Sequence, residues 1–195
     1  IYTPDRVSEG YGLNCRIVEQ SHERGASMIV TCDNGIAAFE GVARAKALGM
    51  KVIVTDHHDI PFEELPDHTV KTLRVDADAI VNPKQPDCPY PFKKLCGAGV
   101  AFKLICHLYD RCHIPEAEKY ALLEYTAIAT VADVMDLQDE NRIIVKLGLN
   151  MVKHTKNIGL KALMEVNALN PARLSAYHIG FVIGPCFNAA GRLDT

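Results

Sequence analysis

Two apolar runs rich in β-branched residues flank one run of strong helix formers, and that order restricts the fold more than any other feature. The first run is Met28-Ile29-Val30-Thr31-Cys32 and the second is Val52-Ile53-Val54-Thr55. Residues 37–48 between them are dominated by alanine and other helix formers, with Gly49 placed to cap the helix end. A strand, a helix and a second strand at this spacing fit a parallel crossover, which is nearly always right-handed. Upstream, residues 9–25 read as another helix closed by Gly25. The alternation calls for one more strand before it, of which only Ile1-Tyr2 is present.

Downstream, Pro61, Pro66, Pro83, Pro86, Pro89 and Pro91 interrupt residues 60–95, leaving 79–81 as the one further strand expected there. From Gly97 onward the chain reads as helices over 100–109, 116–129, 141–153, 160–169 and 174–183. The expected architecture is α/β: a parallel sheet flanked by helices over 1–95, followed by a mostly helical part over 96–195.

The polar residues that end the two strands carry the chemistry. Asp33 follows the first strand, and Asp56-His57-His58 follows the second. Open α/β sheets bind ligands at the carboxyl ends of their strands, and parallel neighbours lie about 4.8 Å apart, so both turns reach a common point. Asp133 lies farther on, in the apolar stretch Ala129-Thr130-Val131-Ala132-Asp133-Val134. That is an expensive place for a carboxylate without a cation or hydrogen-bond donors, although a helix cap explains it too. Asp33, His57, His58 and Asp133 form a mixed carboxylate and imidazole set suited to manganese or magnesium at a phosphoryl centre.

Composition narrows the setting. No run approaches the roughly 18 apolar residues of a membrane span, and no signal peptide opens the chain. The seven cysteines contain no C-x-x-C pair, which argues against a zinc ribbon or a thioredoxin-type site and suits reduced thiols in the cytoplasm. The net charge of −3 gives no global basic signature, so a nucleic-acid partner requires a local basic face. The chain lacks an initiator Met and is expected to be a piece of a longer protein.

Taken in order, these segments resemble the DHH phosphoesterase family. They are Pro4-Asp5-Arg6 with Glu9-Gly10-Tyr11-Gly12-Leu13-Asn14, Thr31-Cys32-Asp33-Asn34-Gly35-Ile36, Thr55-Asp56-His57-His58, Cys96-Gly97-Ala98-Gly99-Val100, Thr130-Val131-Ala132-Asp133-Val134 and Asn188-Ala189-Ala190-Gly191-Arg192. The segments at 9–14 and 188–192 are similar to those of its single-stranded-DNA exonucleases. The resemblance implies that Asp33 bridges two Mn2+ or Mg2+ ions, that His57 and Asp133 are ligands of one, that His58 contacts the scissile phosphate and that Asp56 orients the histidines. It further implies contacts to single-stranded DNA through Arg6, Gly97, Gly99, Asn188 and Arg192, and 5′→3′ hydrolysis in DNA repair and recombination.

Two departures bear on this. The family's first acidic motif belongs before residue 1, so the isolated chain is expected to bind metal weakly and to be inactive. Cys186 stands where such nucleases often carry an Arg expected to touch DNA. Two alternatives remain at this stage: a DHH phosphoesterase for short oligonucleotides, cyclic dinucleotides or pyrophosphate, and a DHH-like binding module without catalysis.

Overall fold

A computed structural model describes residues 1, 2 and 12–190, and for Ala190 the backbone alone. It divides into two compact units, Ile1–Lys93 and Lys94–Thr195.

The first unit is built on a three-stranded parallel sheet. Its strands are β1 (Met28–Val30), β2 (Lys51–Thr55) and β5 (Ala79–Val81), in the order β1-β2-β5. Met28 pairs with Lys51, and Ile53 pairs with Ala79 on the other side of β2. Val52 and Val54 of the central strand are fully buried, beside Val18 of α1 (Cys15–Glu23), Val42 and Ala45 of α2 (Phe39–Ala47), and Met50. The expected α/β architecture is thus present: a parallel sheet with helices packed on it.

Helix α1 begins later than its composition suggested. Asn14 caps it, its side chain accepting the Ile17 N–H at 3.0 Å, and residues 12–14 precede the helix. Residues 9–11 of the expected helix lie outside the described residues.

Between β2 and β5 lies an unexpected hairpin, formed by β3 (Phe62–Glu64) and β4 (Val70–Thr72) with Phe62 opposite Thr72. Pro61 and Pro66 lie just outside its strands, so neither removes a ladder bond, and Asp67 closes the turn by accepting from the Thr69 N–H and Oγ1. All six strand residues are exposed, so no buried face marked them.

Asp78, just before β5, ties the sheet to α2. Its Oδ2 accepts the Val52 N–H at 2.8 Å, and its Oδ1 lies 2.9 Å from Lys46 Nζ and 3.1 Å from Lys51 Nζ. These bonds, the Val52 N–H foremost, hold its carboxyl far below the ordinary carboxylate value. A depressed folded-state pKa adds stability above the unfolded value, and that stability is lost as pH falls through the folded value. Asp78→Asn is therefore expected to lower the urea midpoint at pH 7, with the gap from wild type shrinking below about pH 4. A gap that stays constant with pH contradicts this account.

The second unit is helical: α3 (Gly97–Arg111), α4 (Glu116–Ala121), α5 (Leu123–Ala132), α6 (Asp139–Lys153) and α7 (Ile158–Val166), then a 3-10 turn (Pro171–Arg173). The helix expected over 116–129 is interrupted at Leu122, whose N–H tightens to the Lys119 carbonyl. Helix α6 packs tightly on α5 at Gly148, where a Cβ would lie 2.3 Å from Ala127 Cβ and 2.4 Å from the Leu123 carbonyl oxygen. The last expected helix, 174–183, is a composite of α8 (Ala176–His178) and a π-helical turn (Ile179–Ile183), and α9 (Gly184–Ala190) follows directly beyond it. Pro185 has no N–H to return to the preceding turn, and the widened turn lies directly before it. Ile179 and Ile183 point into a core with Ile128, Val152, Leu160, Met164 and Leu174.

Candidate metal centre

The turn after β1 is held by hydroxyls. Thr31 Oγ1 donates to the Asn34 carbonyl at 2.7 Å and accepts the Thr55 N–H at 3.2 Å, while Thr55 Oγ1 donates to the Thr31 carbonyl at 2.6 Å. The Asp33 N–H reaches the Thr55 carbonyl at 3.0 Å, continuing the pairing beyond the strand. Asp33 itself is left-handed, with φ 64°, a conformation that Asp tolerates better than most residues. Gly35 has φ +110°, and a Cβ there would lie 2.8 Å from Thr31 Oγ1, so the turn requires glycine.

Asp56 anchors the turn after β2. It is 1% exposed, and its Oδ2 accepts the Ile36 N–H at 2.9 Å. Its Oδ1 accepts the His57 N–H at 2.8 Å and the His58 N–H at 3.2 Å, and lies 2.6 Å from His58 Nδ1. Burial alone raises its carboxyl, but bonds from the Ile36 backbone, the His58 ring and the His58 and His57 backbones outweigh it and hold the pKa below the ordinary value. Because a carboxylate only accepts, the proton between the two groups belongs to His58 Nδ1, which fixes the ring's tautomer and orientation.

The two turns converge. His57 Nε2 lies 3.0 Å from Asp33 Oδ1, and one ligand atom each from Asp33, His57 and His58 lie within 4.8 Å of one another. Asp33 Oδ1 is buried, yet it accepts no hydrogen bond among the described residues, so the close approach to His57 lacks hydrogen-bond geometry. A buried, unbonded carboxylate oxygen beside two imidazoles fits a divalent cation, with a donor set intermediate between those of magnesium and zinc. Beside the cluster opens a cavity of about 620 Å3, whose walls include Asn14, Asn34, Phe39, Asp56 and His58.

Residues 1–130 match the family model described as "DHH family, N-terminal domain". The chain belongs to the DHH family. It is 44% identical over 201 residues to the single-stranded-DNA-specific exonuclease RecJ of Salmonella typhimurium, covering 98% of this chain and 33% of that relative. It is also 44% identical over 193 residues to the RecJ of Bacillus subtilis, covering 99% of this chain and 22% of that relative. The chain thus spans a third or less of the length of these relatives. A crystal structure of exonuclease RecJ bound to manganese superimposes with a TM-score of 0.79 at 30% identity, over 98% of this chain and 45% of that one. The RecJ of Thermus thermophilus in complex with Mn2+ gives 0.72 at 29% identity, over 92% of this chain and 25% of that one.

The remaining DHH-pattern residues are placed as follows. Asp133 ends α5, its N–H bonded to the Ala129 carbonyl at 2.9 Å. It is exposed, which corrects the expectation of a carboxylate enclosed by apolar neighbours: the helix ends there, and Val134 beyond it is 88% exposed. Gly97 and Gly99 open α3 and are buried, with the Gly99 N–H committed to Cys96 Sγ at 3.3 Å. Asn188 is exposed on α9, and half-buried Cys186 accepts from Asn167 Nδ2 at 3.9 Å. Arg6 and Arg192 lie outside the described residues. One residue escaped the sequence reasoning: Asn82, which directly follows β5 on the same sheet edge, is 2% exposed and donates to the His58 carbonyl at 2.9 Å. The rule that singled out Asp33 and Asp56, a polar residue at the carboxyl end of a parallel strand, applies to it equally.

Proposed function

We propose that this chain is part of the catalytic core of a divalent-metal nuclease that hydrolyses phosphodiester bonds of single-stranded DNA from the 5′ end, in DNA repair and recombination. The observation that carries the proposal is the convergence of Asp33 Oδ1 and His57 Nε2 at 3.0 Å without a hydrogen bond, beside a His58 ring held by buried Asp56. Asp33 and His57 are assigned as ligands of Mn2+ or Mg2+, and Asp133 joins them on the family pattern. A bound ion supplies Lewis-acid polarisation of the phosphoryl group and a lowered pKa for the attacking water. His58, oriented through Nδ1 by Asp56, contacts the scissile phosphate. Arg6, Gly97, Gly99, Asn188 and Arg192 are assigned to the DNA strand.

No helix among the described residues is long and apolar enough to cross a membrane. The seven free cysteines suit a reducing compartment, and we assign the protein to the cytoplasm.

The test is digestion by the full-length protein that carries this chain, with Mn2+, of a long single strand, the matching duplex and a dinucleotide. Release of mononucleotides from the single strand, abolished by chelation and far slower on the duplex, is expected. Hydrolysis of the dinucleotide with the long strand untouched would identify a phosphoesterase of short substrates instead. Metal-independent binding without hydrolysis would identify a binding module.

A further inference from the structure

We propose that Asn82 is a positioning residue for His58: from the end of β5 it fixes the backbone that carries the His58 ring to the phosphate. The inference rests on the assignment of His58 to the scissile phosphate, and every residue it uses lies in the first unit. Asn82 follows β5 directly, as Asp56 follows β2 on the same sheet edge. Both ends of its buried amide are engaged: Nδ2 donates to the His58 carbonyl at 2.9 Å, and Oδ1 accepts the Lys84 N–H at 2.8 Å. Burying an amide is costly unless it is bonded in this way. The Lys84 bond closes an Asx turn, which commits the oxygen locally and leaves the NH2 group for the turn after β2.

His58 is thereby held from two strand ends. Asp56 accepts the His58 N–H at 3.2 Å and lies 2.6 Å from the ring Nδ1. The bond from Asn82 acts on the other side of the His58 Cα, at the carbonyl, where the chain leaves for exposed Asp59. The His58 side chain is itself half-exposed, so a tether on its C-terminal side limits how far the ring swings about Nδ1. Lys84 Nζ joins the same two turns by meeting Asp59 Oδ1 at 2.9 Å, but that carboxylate is exposed and the pair contributes little. Asp or Ser would serve the Asx turn as well as Asn does. A side chain that accepts from Lys84 and also donates to the His58 carbonyl requires the amide.

The test is a double-mutant cycle in the full-length protein that carries this chain. The kcat for hydrolysis of a long single strand at saturating Mn2+ is measured for wild type, Asn82→Ser, His58→Ala and the double variant. Serine keeps an acceptor for the Lys84 N–H and is too short to reach the His58 carbonyl. Asn82→Ser is expected to lower kcat about tenfold, since small displacements of a positioned group cost at least that much. On the His58→Ala background the same change is expected to cost less than about twofold, because residues acting through one another are not additive. Asp78→Asn, which loosens the same sheet at Val52, is expected to lower Tm while leaving kcat unchanged.

A wild-type rate for His58→Ala overturns the assignment of His58 to the phosphate, and the role of Asn82 with it. A slow His58→Ala combined with an unaffected Asn82→Ser overturns the positioning role alone. So does a tenfold loss from Asn82→Ser on both backgrounds, or an equal loss in Asp78→Asn. Should Asn82→Ser not fold, the Asn82 side-chain NH2 resonances decide. They are expected to move when a phosphorothioate single strand and Mg2+ are added to the wild type, and to stay in place in His58→Ala. No movement in the wild type, or the same movement in His58→Ala, overturns the proposal.

Discussion

Asp33→Asn is expected to slow hydrolysis of single-stranded DNA about a thousandfold while leaving Tm near that of wild type. Metal polarisation of a phosphoryl group is worth several kcal/mol, and about 4 kcal/mol corresponds to that factor. Asn is the informative replacement, because it tolerates the φ of 64° found at this position and keeps the shape of the side chain. What it removes is the negative charge on the oxygen that faces His57 Nε2 at 3.0 Å. The backbone bonds that build the turn, from the Asp33 N–H to Thr55 and from Thr31 Oγ1 to Asn34, do not involve that charge. A variant that keeps a tenth or more of the wild-type rate at the same Mn2+ concentration contradicts the assignment.

Asp56→Ala is expected to act differently, costing stability and activity together. The carboxylate accepts from the Ile36, His57 and His58 N–H groups and from His58 Nδ1. Each buried donor left without an acceptor costs about 1–3 kcal/mol, and the His58 ring, being half-exposed, recovers part of its loss from water. A net loss of about 3 kcal/mol is expected in urea denaturation. The surviving folded protein should show a lowered rate that added Mn2+ does not restore, since the defect lies in the orientation of His58 rather than in ligand charge. A stability within about 0.5 kcal/mol of wild type would show that these four bonds are not what holds the turn.

The contrast between these variants follows from how the site is built, and most of that construction is written locally. The β-branched runs at 28–32 and 51–55 with an alanine-rich helix between them specify parallel strands, and Asp33 and Asp56 fall at the ends that such strands bring together. The supporting bonds were harder to foresee. Thr31 and Thr55 read as ordinary strand residues, and only their pairing across β1 and β2 turns their hydroxyls into turn locks. Asn82 acts on His58 across 24 residues of chain, a contact with no local signature. The hairpin of β3 and β4 was hidden because its residues are exposed on both faces and flanked by prolines. Asp133 misled for the opposite reason: its apolar neighbours suggested burial, whereas the helix stops there and Val134 is itself exposed. Asn14, as a cap, moved the start of α1 because a side-chain bond to the Ile17 N–H decides a helix end more than composition does.

In the proposed centre His57 ligates the metal directly and His58 does not. Electron spin echo modulation of Mn2+ bound to the full-length protein tests it, because a directly coordinated imidazole nitrogen modulates the echo. Wild type and His58→Ala are expected to show that nitrogen modulation, and His57→Ala to lack it. Modulation that survives in His57→Ala, or disappears in His58→Ala, would contradict the account.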